Sequence, residues 1–505
     1  RLEWGDLLES VRASRTSPNE SDWRRALHKQ ILNRRPFVVE NSPVVEWPAL
    51  NKWKHTDYIT QRLPKLERVR RGVHPVFVYE DSTRMLGKEQ HVESDGSERR
   101  QGRRQPFLIH RSTTRFKYVN MSTENFLKKS SGLDGTIDGS TNFYYYSRRI
   151  SESPSLFPLV SDAHPRSFLQ FMNRGGRDRR MTSEGQDEHF WMGGRGVTAS
   201  AHYDRDHNLF AQCVGQKRFV FWEPGVWPDM SVHPFYHPRD RQSQTVYIDH
   251  GEELTPMDRK GGKIDIEPYG YVDLKPGELL YIPPFWWHRV VSSTLSMSIN
   301  VWTAAMESTM ASTLNDLGLP KLVSKRSGKE SVAATAFFLR GLVEALKKTP
   351  ILDWDKITAP LKRHTHSRGT MTPLRFISSI IESRFVNMGL AERISAFECQ
   401  VWEANRCPKT HAFEASDIAG INIYGEKIIS HVLSSLTKIL KKDRGGLHVH
   451  GLIGTVVGDY VERVGTFAVG PNRMCSFLRC VGHESGWKTM QLVDDNLEEL
   501  RDGEL

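Results

Sequence analysis

Two periodicities divide the chain. As far as residue 305 the apolar residues come in short alternating runs interrupted by Gly and Pro, the period of half-buried strands; beyond it they recur every three or four residues, the period of amphipathic helices. In the first part Pro36 to Glu40, Val76 to Glu80 and Asn142 to Ser147 read as strands, and a denser set of short strands fills Phe190 to Trp302. Met121 to Lys128 opens a short helix. In the second part Ser331 to Lys348 and Pro373 to Ala396 carry helical patterns. So does the run Ile428, Ile429, Val432, Leu433, Leu436, Ile439 and Leu440, whose Lys438, Lys441 and Lys442 sit where cations suit a helix carboxyl end. Ser21-Asp22 can cap a helix that places Trp23, Leu27 and Ile31 on one face. The pattern predicts an α+β protein with a helical extension over 1–30, a β-rich unit over 31–305 and an α-helical region over 306–505. Many short strands joined by Gly and Pro turns suggest a double-stranded β-helix, a jelly roll closed enough to hold a pocket.

The β-rich unit contains the residues with chemistry. Val197 to Asp204 is extended, so His202 and Asp204, two apart, point the same way. Brought together with His288 from the run Tyr281 to His288, they make two imidazoles and one carboxylate, the facial triad of non-haem Fe(II). Asn208 to Cys213, the turn Val214-Gly215-Gln216 and Lys217 to Trp222 read as strand, turn and strand. With Gly215 and Gln216 as the loop, Val214 faces Lys217, and Asn208, Phe210, Gln212, Lys217, Phe219 and Phe221 share one face. A lysine among aromatics on a buried face is costly unless it meets an anion. Its alternative is to snorkel to solvent from the end of the turn. The long polar insert from Pro228 to Gly270 looks like a lid or substrate loop.

Composition narrows the setting. At 505 residues with 38% hydrophobic content the chain can bury more than one core, and no apolar run is long enough to span a bilayer. A net charge of +10 and a pI near 9.2 suit work near a polyanion such as RNA or a ribonucleoprotein, or life in a basic proteome such as the mitochondrial matrix. Arginine-rich runs at 99–104, inside the polar stretch 87–105, and at 173–180 are candidate polyanion contacts. Five cysteines without CxxC spacing fit a reducing, intracellular compartment, whether matrix, cytoplasm or nucleus. The chain begins at Arg1, as it would after loss of a leading segment, and the acidic Glu3, Asp6 and Glu9 do not fit a transit peptide.

The runs Gly196 to Trp222, His237 to Gln244, Pro276 to His288 and Ser298 to Trp302 together resemble JmjC-type (cupin-like) 2-oxoglutarate oxygenases. The nearest subgroup is that of the asparaginyl hydroxylase acting on hypoxia-inducible factor, with the tRNA wybutosine hydroxylase as a cousin. The resemblance covers about 31–305 and not the last two hundred residues. It implies Fe(II) at His202, Asp204 and His288, with 2-oxoglutarate as co-substrate. The far carboxylate of 2-oxoglutarate would be the anion for Lys217, helped by the Tyr145 hydroxyl and by Thr198 or Ser200; Thr198 stands four residues before His202 where that subgroup has threonine three before. Asn208 and Asn300 match amides that contact the bound co-substrate and oxygen. Arg241, Gln242 and Trp302 match substrate-contacting positions, which implies hydroxylation of a protein side chain or, by the cousin, an RNA base. The helical tail is where the subgroup dimerises. The competing expectation is a catalytically silent JmjC scaffold in a ribonucleoprotein, such as an assembly factor of the mitochondrial ribosome.

Overall fold

The computed structural model describes residues 31–79, 116–131, 142–164, 187–257, 267–316, 328–364, 369–385 and 447–469, apart from isolated positions within those ranges, with a few single positions between 423 and 434. The predicted helix before Asn33, the basic runs 99–104 and 173–180 and the polar stretch 87–105 lie outside the described residues, save for Ile31. So does most of the expected 428–440 helix.

In chain order the strands are β1 (Phe37–Val39), β2 (Lys65–Gly72), β3 (Val76–Phe77), β4 (Phe116–Ser122), β5 (Phe143–Arg149), β6 (Asp187–Gly193), β7 (Thr198–Tyr203), β8 (His207–Val214) and β9 (Lys217–Trp222). They continue with β10 (Val246–His250), β11 (Glu253–Met257), β12 (Gly270–Leu274), β13 (Leu279–Ile282), β14 (Trp287–Ser292) and β15 (Ser296–Thr303). The helices are α1 (Ala49–Lys52), α2 (Thr56–Arg62), α3 (Thr123–Ser131), α4 (Phe157–Val160), α5 (Met306–Asp316), α6 (Gly328–Lys347), α7 (Trp354–His364), α8 (Pro373–Phe385) and α9 (Leu447–Val469).

One sheet runs β1-β13-β8-β15-β6-β5-β2-β4 and a second runs β12-β9-β14-β7-β3. All pairs in both are antiparallel except β3 with β7. The two sheets face each other as the jelly roll requires: Phe210 of β8 meets Phe219 of β9 across the gap at 5.1 Å, edge to face, and both share a core with Val38, Leu280 and Ile282. Alternation decides which side chains enter that gap. On β15 Met297, Ile299 and Val301 face outward to the helices, while Ser298 and Asn300 reach inward to partners on β8. On β9 Val220 and Trp222 face outward and Lys217, Phe219 and Phe221 inward.

Each outer face is roofed by helices. Trp53, Ile59, Leu63, Phe126 and Leu159 cover the larger sheet. The smaller sheet buries Ala201, Tyr203, Trp222 and Trp287 against Phe338, Ile357, Ile380, Leu452 and Val456, so the carboxyl-terminal helices and the strands share one core.

Two expectations are corrected. β8 and β9 are not a hairpin. The chain crosses from one sheet to the other at Gly215, whose φ of 69° and missing Cβ allow the turn to pass under the Leu295 carbonyl. Val214 pairs with Met297, and Lys217 with Leu274 and Ser292. The inward set nevertheless meets, because the two strands contribute facing walls. Nor is all of 228–270 a polar lid: Met230, Val232, Asp240, Gln242 and Ser243 are buried, and bridges tie His202 to Gln242 and Val232 to Ser243.

Candidate metal centre

β7 and β14 are neighbours, and their register sets His202 directly opposite His288 with ring centroids 4.3 Å apart. Each ring is oriented by its own strand. His202 Nδ1 lies 2.6 Å from the Ser200 carbonyl and His288 Nδ1 3.0 Å from the Trp286 carbonyl, so in both the Nδ1–H donates and Nε2 is left as a lone-pair donor. Asp204 follows β7 in a turn closed by the Phe285 N–H, which donates to its carbonyl at 2.6 Å. One ligand atom from each of His202, Asp204 and His288 lies within 4.8 Å of the other two, and among the described residues this is the one cluster of metal-ligating groups.

The carboxylate is held as firmly as the rings. Asn208 Nδ2 donates to Asp204 Oδ2 at 3.1 Å and Trp302 Nε1 to the same oxygen at 3.0 Å, and that oxygen lies 3.7 Å from His288 Nε2. Asn208 Oδ1 accepts from Asn300 Nδ2 at 2.9 Å, and Asn300 Oδ1 accepts from Trp191 Nε1 at 2.6 Å. Burial opposes the charge on Asp204, yet the two histidines and the Trp302 N–H outweigh it and hold the carboxyl below its usual range. Burial, then the His288 charge, pull His202 down to about 4, so the ring is neutral and able to ligate at pH 7. Two imidazoles and one carboxylate suit Fe(II).

The Lys217 end suits an anion. Lys217 is buried, its Nζ lies 5.0 Å from the Phe210 ring centroid, and among the described residues no carboxylate pairs with it. Ser292 stands opposite it, four residues beyond His288 and on the same face. A Cβ on Gly193 would lie 3.0 Å from Ser292 Oγ and 3.4 Å from Tyr145 Cδ2, so that glycine keeps a space between them. Tyr145 is buried and stacks on Trp191 at 5.9 Å.

The structure does not bring every expected residue to a free position. Thr198 pairs with Val291, in the row of the outward Arg218, and its hydroxyl donates to the Gly196 carbonyl; the hydroxyl opposite Lys217 belongs to Ser292. Even spacing from His288 could have found it. Trp302, Asn208 and Asn300 form a relay that ends on Asp204. Gln242 has both amide ends engaged: Nε2 donates to the Tyr79 carbonyl at 2.5 Å, and Oε1 accepts the Tyr79 N–H at 2.9 Å and the Ser200 hydroxyl at 3.1 Å. Arg241 sits beside Asp240, with Nε 3.4 Å from Oδ2.

A family model for a cupin-like domain matches residues 23–306. Lysine-specific demethylase JMJ31 of Arabidopsis thaliana is 28% identical over 113 residues, 22% of this chain and 20% of that protein. Jumonji C domain-containing protein 5 of Drosophila melanogaster is 32% identical over 115 residues, 22% of this chain and 26% of that one. HSPB1-associated protein 1 of Bos taurus is 27% identical over 199 residues, 37% and 38% of the two chains. The matched stretches span less than half of each relative.

Proposed function

The chain belongs to the cupin-like domain family, and from that premise we propose that it is an Fe(II)- and 2-oxoglutarate-dependent oxygenase that hydroxylates a carbon of a protein side chain. Its JmjC relatives support the oxygenase class; the choice of substrate is this proposal's own. The observation that carries it is the pair of opposed histidines whose Nδ1–H groups are spent on backbone carbonyls, so that both Nε2 atoms and the Asp204 carboxylate meet.

When bound, Fe(II) and 2-oxoglutarate supply the activation of dioxygen. The chain's own residues do the rest. His202, Asp204 and His288 would hold the metal through their Nε2 atoms and a carboxylate oxygen. Trp302 and Asn208 fix the plane of the Asp204 carboxylate. The Lys217 ammonium, with Ser292 and Tyr145, takes the far carboxylate of the co-substrate and orients it along the gap between the sheets. Trp191, His189 and Trp302 pack against one another at centroid distances of 5.6 and 4.8 Å and form a half-buried aromatic wall beside Asp204. Gln242 spends one Nε2–H and its Oε1 on Tyr79 and Ser200 and so is tied in place rather than offered as a whole amide, and the reading is side-chain hydroxylation in general, N-methyl groups included. Every ligand position carries a competent side chain, so no observation favours the silent scaffold.

The test is anaerobic addition of Fe(II) and 2-oxoglutarate to metal-free protein, read by visible absorption, then admission of oxygen and an assay for succinate. Absorption that needs both additions, is lost in His202→Ala and Lys217→Ala, and is followed by succinate is the expected result. No absorption change in folded wild-type protein supplied with both would overturn the proposal.

A further inference from the structure

A row of alternating charges runs from α9, outside the family-matched residues, to the metal centre. Arg384 of α8 is fully buried, with Nη1 2.8 Å from Asp459 Oδ1 and 2.9 Å from Glu462 Oε2, both on α9. Asp459 Oδ2 lies 3.4 Å from Arg205 Nη2. The same Arg205 nitrogen is 3.9 Å from Asp240 Oδ2, and that oxygen is 3.4 Å from Arg241 Nε. Arg205 adjoins the ligand Asp204 in sequence and its guanidinium covers the Phe235 ring at 5.5 Å. The Arg241 carbonyl accepts the Tyr203 N–H at 3.1 Å, between His202 and Asp204.

Two guanidinium groups thus compete for one Asp240 oxygen. A largely buried cation that loses its partner takes the nearest remaining carboxylate, because an unpaired charge in that setting is costly. Asp459 is the nearer partner of Arg205. It leaves Asp240 to Arg241, whose next carboxylate along the row is Asp204 itself.

We propose that Asp459 is a positioning residue for the metal centre: by holding Arg205 it leaves Asp240 to restrain Arg241, which keeps the Arg241 guanidinium from pairing with Asp204. The proposal rests on the reading of His202, Asp204 and His288 as a metal site. In this account the carboxyl-terminal helices set the availability of a ligand that they do not touch.

The experiment uses the full chain, metal-free, titrated with Mn(II) as the probe, with thermal melting alongside. Asp459→Asn is expected to weaken Mn(II) binding by roughly ten-fold, the scale of losing a group that orients a ligand. Arg205→Gln alone removes the competitor for Asp240 and leaves the affinity at the wild-type level. Arg205→Gln added to Asp459→Asn restores that affinity, which repair of a merely structural defect would not do. Should Asp459→Asn fail to fold, Asp240→Asn leaves the Arg384 cluster whole, releases Arg241 directly and is expected to show the same loss. Wild-type affinity in both carboxylate variants, or a loss that Arg205→Gln does not reverse, overturns the proposal. Absence of Mn(II) binding by the wild type would instead sink the metal-site reading beneath it.

Discussion

Burial pulls the Lys217 ammonium down to about 7, with only the nearby Cys213 acting the other way. Its ordinary value is 10.5, so between about 7 and 10.5 the unfolded chain holds this proton and the folded one does not. Stability of the ligand-free chain therefore rises with pH across that window, and the contribution is lost as pH falls through 7. Binding an anion has the opposite slope, because only the charged amine attracts it. Affinity for 2-oxoglutarate is expected to fall as pH rises above 7, approaching about ten-fold per pH unit, measured by calorimetry under anaerobic conditions. Lys217→Met should abolish binding and raise the urea midpoint of the free protein. A pH slope that survives in that variant would assign the anion to another group.

At this scale the convergence of the candidate metal ligands was legible and their supports were not. His202 and Asp204 are two apart on a strand, and His288 sits in the answering run, so local periodicity sufficed. The inward row containing Lys217 was legible for the same reason. What Gln242, Trp302 and Asn300 touch was hidden, because their partners lie about a hundred residues or more away in sequence and depend on the register of a finished sheet.

Among the described elements, α9 left little sign in sequence and is buried along most of its length. His448 and His450 stand in a glycine-bearing stretch for which the sequence singles out no individual helix, because Gly451, Gly454 and Gly458 each lower helix propensity by about 1 kcal/mol against Ala. The structure shows why small residues stand there. A Cβ on Gly451 would lie 2.5 Å from the Gly225 nitrogen, one on Gly454 2.9 Å from Trp227 Nε1, and one on Gly458 2.9 Å from Arg384 Nη2. Close approach was selected over intrinsic helicity. Gly451→Ala is accordingly expected to destabilise the protein by about 1–3 kcal/mol in urea denaturation, although an isolated peptide of α9 becomes more helical. A stabilised variant would show that the contact at Gly225 relaxes freely. The misread β8–β9 turn has a related cause. β8 already has β13 and β15 on its two sides, and β9 has β12 and β14, so neither strand has an edge left for the other.

For the whole molecule, layering was legible as a change of period near residue 305, whereas the joint between the two parts was not. Trp222 and Trp287 are strand residues in sequence and helix-contact residues in space. A chain ending at residue 305 would expose them with Ala201 and Tyr203. It is expected to bind a hydrophobic dye and to lose near-ultraviolet dichroism even though every candidate metal ligand is present. A monomeric fragment with native dichroism would show that the sheets hold without their outer roof.

The same roof imposes an order of events during synthesis. Trp287 leaves the ribosome well before Leu447–Val469 is made, an interval of roughly ten seconds or more at about 5–20 residues per second. Through that interval the ligands can all have emerged while the wall behind them is still unfinished. A cell making this protein must shield a tryptophan-rich surface until α9 arrives, and holding chaperones are the obvious guardians of that pause.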